Sequence, residues 1–142
     1  MNRIDSLIKK MCPNGVEYHK LSEISYSLRG MSNVKNKWDD TGNCQFIDYM
    51  NAYKNLKINV NDLPYATVKK KENQTILKKG DILFTAASET IDECAISSVI
   101  EDDICDGIFL DDHLFGIRLN DTYDGLYSIK FLKSGFKSVF IK

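Results

Sequence analysis

Residues 78–96 read KKGDILFTAASETIDECAI. Two lysines enter a Gly-Asp turn, a short apolar run at 82–84 follows, and the chain then passes into small and hydroxyl-bearing residues around one carboxylate. Turn residues ahead of a brief apolar run predict a strand, and the polar stretch after it predicts a loop carried on that strand. This unit of strand and presented loop sets the expectation for the whole chain: several short strands, few helices and long polar connections.

Outward from this point the pattern repeats. TILKKGDILFT (75–85) predicts strand, turn, strand, and CAISSVI (94–100) another strand, followed by the acidic loop EDDICDG. IFL (108–110) and LFGIRL (114–119) predict two more. Towards the N-terminus, QFIDYM (45–50) reads as a buried strand and LKINV (56–60) as an alternating one, while 61–73 runs through a turn and a short strand into a basic loop. Ile4, Leu7, Ile8 and Met11 fall at helical spacing and predict a helix over 3–11 that CPNG (12–15) breaks. Val16 and Tyr18 suggest a brief strand, and Leu21, Ile24 and Leu28 one face of a short helix. Residues 29–43 show no period and read as a long loop, with Trp38 either its anchor or a stacking surface. Tyr123, Leu126, Tyr127 and Phe131 predict a closing helix over 122–133. Strands that do not alternate with helices exclude a doubly wound sheet and predict an α+β, β-rich domain with short flanking helices.

The chain has 142 residues, 43% hydrophobic and 27% charged, which fits one globular domain over 1–142 and excludes a disordered chain. No apolar run approaches a membrane span, and the charged N-terminus does not fit a signal peptide, so a cytoplasmic protein without membrane contact is expected. Cys12, Cys44, Cys94 and Cys105 form no CxxC pair and are expected as buried, reduced thiols. The net charge of −1 hides an asymmetry. Residues 1–80 carry 14 basic against 8 acidic residues, and 81–142 carry 5 against 12. Such a division suggests a half that faces a polyanion.

Signals for catalysis are thin. DLPY (62–65) is similar to the tetrapeptide with which amino-methyltransferases hold a flipped base, but no GxG loop follows any strand to hold a methyl donor. Ser88 is not in a GxSxG turn, His19 and His113 sit among ordinary polar residues, and Asp111, Asp112 and His113 are a weak metal signal. No cofactor, metal or catalytic residue is expected. Binding is better supported. Arg29, Ser32, Asn33, Lys35 and Lys37 share one polar stretch, Asn51, Tyr53 and Lys54 another, and Lys69, Lys70, Lys71, Lys78 and Lys79 add charge in a third. Lysines neutralise phosphates, while Arg and Asn pair bidentately with guanine and adenine.

With these residues in view, the chain resembles the target-recognition domain of the specificity subunit of type I restriction–modification systems. LIKKMCPNGVEYHKLSEI (7–24) is similar to the opening of many such subunits, QFIDYMNAYKNLKIN (45–59) to the segment after the first variable loop, LKKGDILFTAASETIDECAIS (77–97) to a Gly-Asp strand and its Glu-Thr loop, and GLYSIKFLKSGFKSVFI (125–141) to the closing helix. The resemblance implies that the chain reads one half of a split double-stranded DNA target and does no chemistry itself. Its partners would be methyltransferase subunits and, through the complex, restriction/translocase subunits. Such subunits typically carry two recognition domains separated by long helices; this chain departs from that pattern and is expected to hold one recognition domain, with the second domain and the spacer helices absent. Within it the loop 86–93, with Thr85, Ser88, Glu89 and Thr90, would support the DNA-reading loops, and Ala86 and Ala87 stand where the family often has a basic or glycine residue. Arg29, Ser32, Asn33, Lys35, Lys37, Asn51, Tyr53 and Lys54 form the expected DNA-contacting set. Two rival readings are a protein-interaction module or inhibitor that binds the methyltransferase subunit, and a small methyltransferase resting on DLPY.

Overall fold

Apolar residues alternate along several strands, so one strand can feed two layers at once. A computed structural model describes residues 2–15 and 18–120. In β5 (Ile82–Thr85), Leu83 points to one side and Ile82 and Phe84 to the other. β3 (Cys44–Ile47) divides likewise, with Ile47 in the main core and Cys44 and Phe46 on the opposite face. β7 (Ile108–Leu110) does the same with Ile108 and Leu110 against Phe109. The main cluster joins residues of β1 (Ser25–Arg29), β3, β5, β7 and β8 (Leu114–Leu119) with Ala52 of helix α3 (Tyr49–Lys54). It therefore lies between two sheets. Each fully buried leucine or isoleucine there contributes about 1.5–3 kcal/mol of transfer free energy.

The first sheet has the order β1-β8-β5-β6, with β6 at Ser97–Val99, and is antiparallel throughout. The second has the order β2-β4-β3-β7, with β2 at Val34–Lys37 and β4 at Tyr65–Val68. Its β3–β7 pair is parallel, Phe46 opposite Phe109. The α+β class follows directly: two four-stranded sheets with short helices at their margins.

Helix α1 (Arg3–Met11) forms where its spacing predicts it. Asn2 and Asp5 close a reciprocal capping box, and Lys9 and Lys10 occupy the last turn, where the helix dipole favours cations. Helix α2 is only Leu21–Ile24, and Leu28 belongs to β1 instead of extending that helix. Pairing of Ser25–Arg29 with β8 outweighs a weak helical spacing in a run that also alternates.

Several other expectations are corrected. The loop at 29–43 contains β2, whose pairing with β4 was not visible in its polar residues. The strand at 45–50 stops at Ile47, because Asp48 accepts from the N–H groups of Met50 and Asn51 and starts α3. Residues 56–60 form only an isolated bridge, Lys57 to Val99, and 75–79 form no strand. Tyr18 lies in no strand, and Val16 is outside the described residues. The closing helix expected over 122–133 likewise lies outside them. Of the four cysteines only Cys44 is buried; Cys94 and Cys105 are exposed. No described helix is long and apolar enough to cross a membrane.

Candidate nucleic-acid interface

The β2–β4 pair brings together two basic segments more than thirty residues apart in sequence. Val34 lies opposite Val68 and Asn36 opposite Thr67, so the register shifts at Lys35. Such a bulge leaves the intervening residue out of the ladder. Beyond the strand ends the Lys69 N–H donates to the Asn33 carbonyl at 3.2 Å. Gln74, at the end of the 3-10 turn Lys71–Asn73, meets both backbone groups of Ser32. The Asn43 side chain does the same for Val68, at 2.9 and 3.1 Å, while Lys71 Nζ donates to the Asn43 carbonyl at 2.6 Å.

One tip results, carrying Ser32, Asn33 and Lys35 beside Lys69, Lys70 and Lys71, all exposed. Among the described residues no carboxylate pairs with Lys35, Lys69 or Lys70, and Glu72 is the tip's one acid. Asn33 sits in left-handed backbone at φ 55°, a conformation that asparagine tolerates better than most residues. Next to the far end of β2, Trp38 has φ 59°, is 64% exposed, and sets its ring edge-on to Phe46 at 5.5 Å. It is anchored at one edge and open elsewhere.

Arg29 and Lys37 occupy a second region, around the turn at 111–113. Arg29 is exposed at the end of β1, opposite Phe115. Gly30 lies so close to this turn that a Cβ would fall 2.5 Å from the Asp111 carbonyl oxygen. Lys37 Nζ is bonded to Asp112 and, at 3.1 Å, to Asp111. Burial lowers the Lys37 pKa, but the two carboxylates outweigh it and hold the ammonium above its usual range. Asp112 responds in the opposite sense: burial raises it, and the bond from Lys37 brings the net shift below the usual range. Asp111, Asp112 and His113 are the one group of three metal-capable side chains found among the described residues. Both carboxylates are engaged by Lys37.

The remaining expected contacts lie on α3. Asn51 is buried, and its side chain bonds the carbonyl of Asn59 at 2.8 Å and the Asn59 N–H at 3.0 Å. Tyr53 donates to Glu93 at 2.8 Å, which raises the phenol's pKa. Lys54 is exposed in the last turn. None of these bonds reaches the β2–β4 tip.

The loop after β5 packs on α3. Tyr49 donates to the Ala87 carbonyl at 2.7 Å and stacks on Tyr53 at 5.8 Å. Thr85 Oγ1 donates to the Glu93 carbonyl and accepts from the Ile96 N–H, both at 3.0 Å. Ser88 Oγ donates to the Thr90 carbonyl at 2.7 Å. Glu89 is exposed at the rim of an open depression of about 570 Å³ lined by Tyr49, Met50, Tyr53, Ser88, Glu93 and His113, among others. This loop belongs to a stretch with no lysine or arginine from 80 to 117 and ten carboxylates.

DLPY begins in the exposed turn at Asp62 and ends in β4, with Leu63 in the main core and the Pro64 carbonyl accepting from Phe46. Gln74 and Asn43 hold the tip together although neither stands out in the sequence. An amide inside a polar run carries no signal until its partner, 42 or 25 residues away, is known.

No family model and no curated protein matches the chain. Solved structures do. The HsdS subunit from Thermoanaerobacter tengcongensis superposes with a TM-score of 0.53 at 15% identity, over 96% of this chain and 37% of that one. A chain from a structure of a type I R-M system, described for its complex assembly and conformational transition, gives a TM-score of 0.53 at 14% identity, over 96% of this chain and 36% of that one. The described fold is therefore shared with these chains, and this chain spans little more than a third of their length.

Proposed function

We propose that the chain is a non-catalytic DNA-recognition domain of the specificity-subunit type, reading one half of a bipartite duplex target for methyltransferase and restriction/translocase partners. The observation that carries this reading is the exposed tip on which Ser32, Asn33 and Lys35 meet Lys69–Lys71, with no carboxylate among the described residues paired to Lys35, Lys69 or Lys70. Cations of this kind bind phosphates and position a domain on the duplex, while the adjacent Asn33 supplies a base-edge donor and acceptor. The likeness to the HsdS chain supports the same reading. Lys37 enters this interface already neutralised by two carboxylates, so Lys35 and the 69–71 run carry most of the phosphate contact.

A second reading, a protein-contact module, is favoured by the acid-rimmed depression between α3 and the loop 86–93, which suits a basic group of a protein partner better than a phosphate.

The test is binding of the full chain to duplex DNA across a salt series. Replacing Lys35, Lys69 and Lys70 by alanine should flatten the log–log slope by about 0.9 for each phosphate left without its lysine. Lys57→Ala, which removes a lysine already bonded to Asp102, should leave the slope unchanged. An absence of duplex binding by the parent chain, or equal slopes in all three proteins, would refute the DNA reading.

A further inference from the structure

The tip is not closed by the β ladder. β2 begins at Val34 and β4 ends at Val68, so Ser32, Asn33 and Lys69–Lys71 lie beyond the last strand pair. Something else must fix these two polar segments to each other.

Gln74 does this with one amide. Its Oε1 accepts the Ser32 N–H at 3.0 Å, and its Nε2 donates to the Ser32 carbonyl at 2.9 Å and to the Lys70 carbonyl at 3.0 Å. A glutamine amide has two N–H donors and one oxygen acceptor, so both donors and the acceptor are engaged. The opposite orientation would set an NH2 against an N–H, so the network itself fixes the amide. The exchange with Ser32 reproduces the paired N–H and C=O bonds of two antiparallel strands. Gln74 is 8% exposed, while Ser32 and Lys69–Lys71 around it are open to solvent. The left-handed Asn33 follows Ser32 directly. Such backbone persists where its surroundings over-determine it, and the bonds of Gln74 to Ser32 and of Lys69 to Asn33 supply that constraint on both sides.

We propose that Gln74 is a positioning residue of the DNA-recognition tip, locking Ser32 and Asn33 to Lys69–Lys71 so that the basic and amide groups meet a duplex as one prearranged surface. This rests on the DNA reading above. The gain comes from ordering completed before binding, not from a contact with the nucleic acid. Loss of Gln74 therefore weakens binding while leaving the number of phosphate contacts, and with it the salt slope, intact. Lysine removal also weakens binding but lowers the slope.

The experiment uses the full chain, Gln74→Met and Gln74→Glu with one duplex of random sequence, well below each protein's melting midpoint. Gln74→Met should exchange the Ser32 and Lys69 amide protons faster and bind the duplex about tenfold more weakly at unchanged salt slope. Gln74→Glu retains the acceptor for Ser32 but lacks both donors, so it too must lose affinity. Wild-type affinity in either folded variant, with the Ser32 amide exchanging faster, overturns the role of Gln74 and leaves the DNA reading standing. Failure of the parent chain itself to bind overturns the DNA reading and, with it, this role. A lower melting midpoint alone, without an affinity change, marks Gln74 as merely structural and overturns the proposal.

Discussion

Asp81 and Arg118 face each other through two bonds, Nε to Oδ1 and Nη2 to Oδ2, each at 2.6 Å. Asp81 is fully buried at the start of β5, and Arg118 comes from β8 beside it. The carboxylate also takes the Lys78 N–H at 2.7 Å, and Arg118 donates to the Ile76 carbonyl at 2.9 Å. The pair thus ties the Gly-Asp turn, the 76–78 segment and the first sheet into one unit. The Asp81 bond holds the guanidinium further above its already high range.

Asp81→Ala should therefore cost about 3–5 kcal/mol, because it leaves a largely buried guanidinium without its partner. Urea unfolding measures it. Asp81→Leu with Arg118→Met should cost much less than the two single changes summed, since no orphaned charge remains. Additive losses in this cycle would show that the two groups do not act as a pair.

Thr85 predicts a more local effect. Its buried hydroxyl both donates to Glu93 and accepts from Ile96, closing the base of the loop 86–93. Thr85→Val keeps the shape and removes both bonds, for an expected loss of about 1–3 kcal/mol. Thr85→Ser should recover most of it. Amide exchange should quicken at Ile96 in the valine variant and stay near wild type in the serine one; equal exchange in both would remove the hydroxyl from this role.

The Gly-Asp turn, the strand after it and the amphipathic spacing of α1 were legible in the sequence because turn chemistry and period are local signals. β2 was hidden because VKNK has neither an apolar period nor β-branched bias beyond Val34; its partner β4 makes it a strand. α3 was hidden by a strand-like run whose N-cap, Asp48, is decisive only in three dimensions. The expected DNA-contacting set divides for the same reason. Lys35 and Asn33 are drawn to Lys69–Lys71 by pairing, while Asn51 and Tyr53 are engaged by Asn59 and Glu93. Whether a polar residue is bonded internally depends on partners that only folding brings near.

Gly30 is a close backbone approach with a testable consequence. A Cβ there would lie 2.5 Å from the Asp111 oxygen and 2.7 Å from Asp112 Cα, and neither can move without shifting the turn. Gly30→Ala should cost about 1–3 kcal/mol and displace the turn that holds Lys37. Chemical shifts of Met31 and Leu110, bonded N–H to carbonyl at 2.7 Å, report it. Unchanged shifts with unchanged stability would contradict this packing.

Lys37 connects stability and pH with the proposed DNA binding. Its folded pKa is raised, so its contribution is fully present below the unfolded value, about 10.4, and is lost as pH rises through the folded value. Asp112 is lowered, so its contribution is present above the unfolded value, about 3.9, and is lost as pH falls through the folded one. The stability difference between wild type and Lys37→Met should therefore be flat between these limits and shrink on both sides. Thermal midpoints across pH check it, and a difference that grows towards either extreme would contradict the pairing. The same variant separates structure from recognition. If Asp111 and Asp112 retain Lys37 in the DNA complex, Lys37→Met leaves the salt slope of duplex binding where it was, whereas Lys35→Ala lowers it. A slope that falls equally in both would mean that Lys37 leaves its carboxylates for a phosphate on binding, and the pH difference should then disappear in the complex.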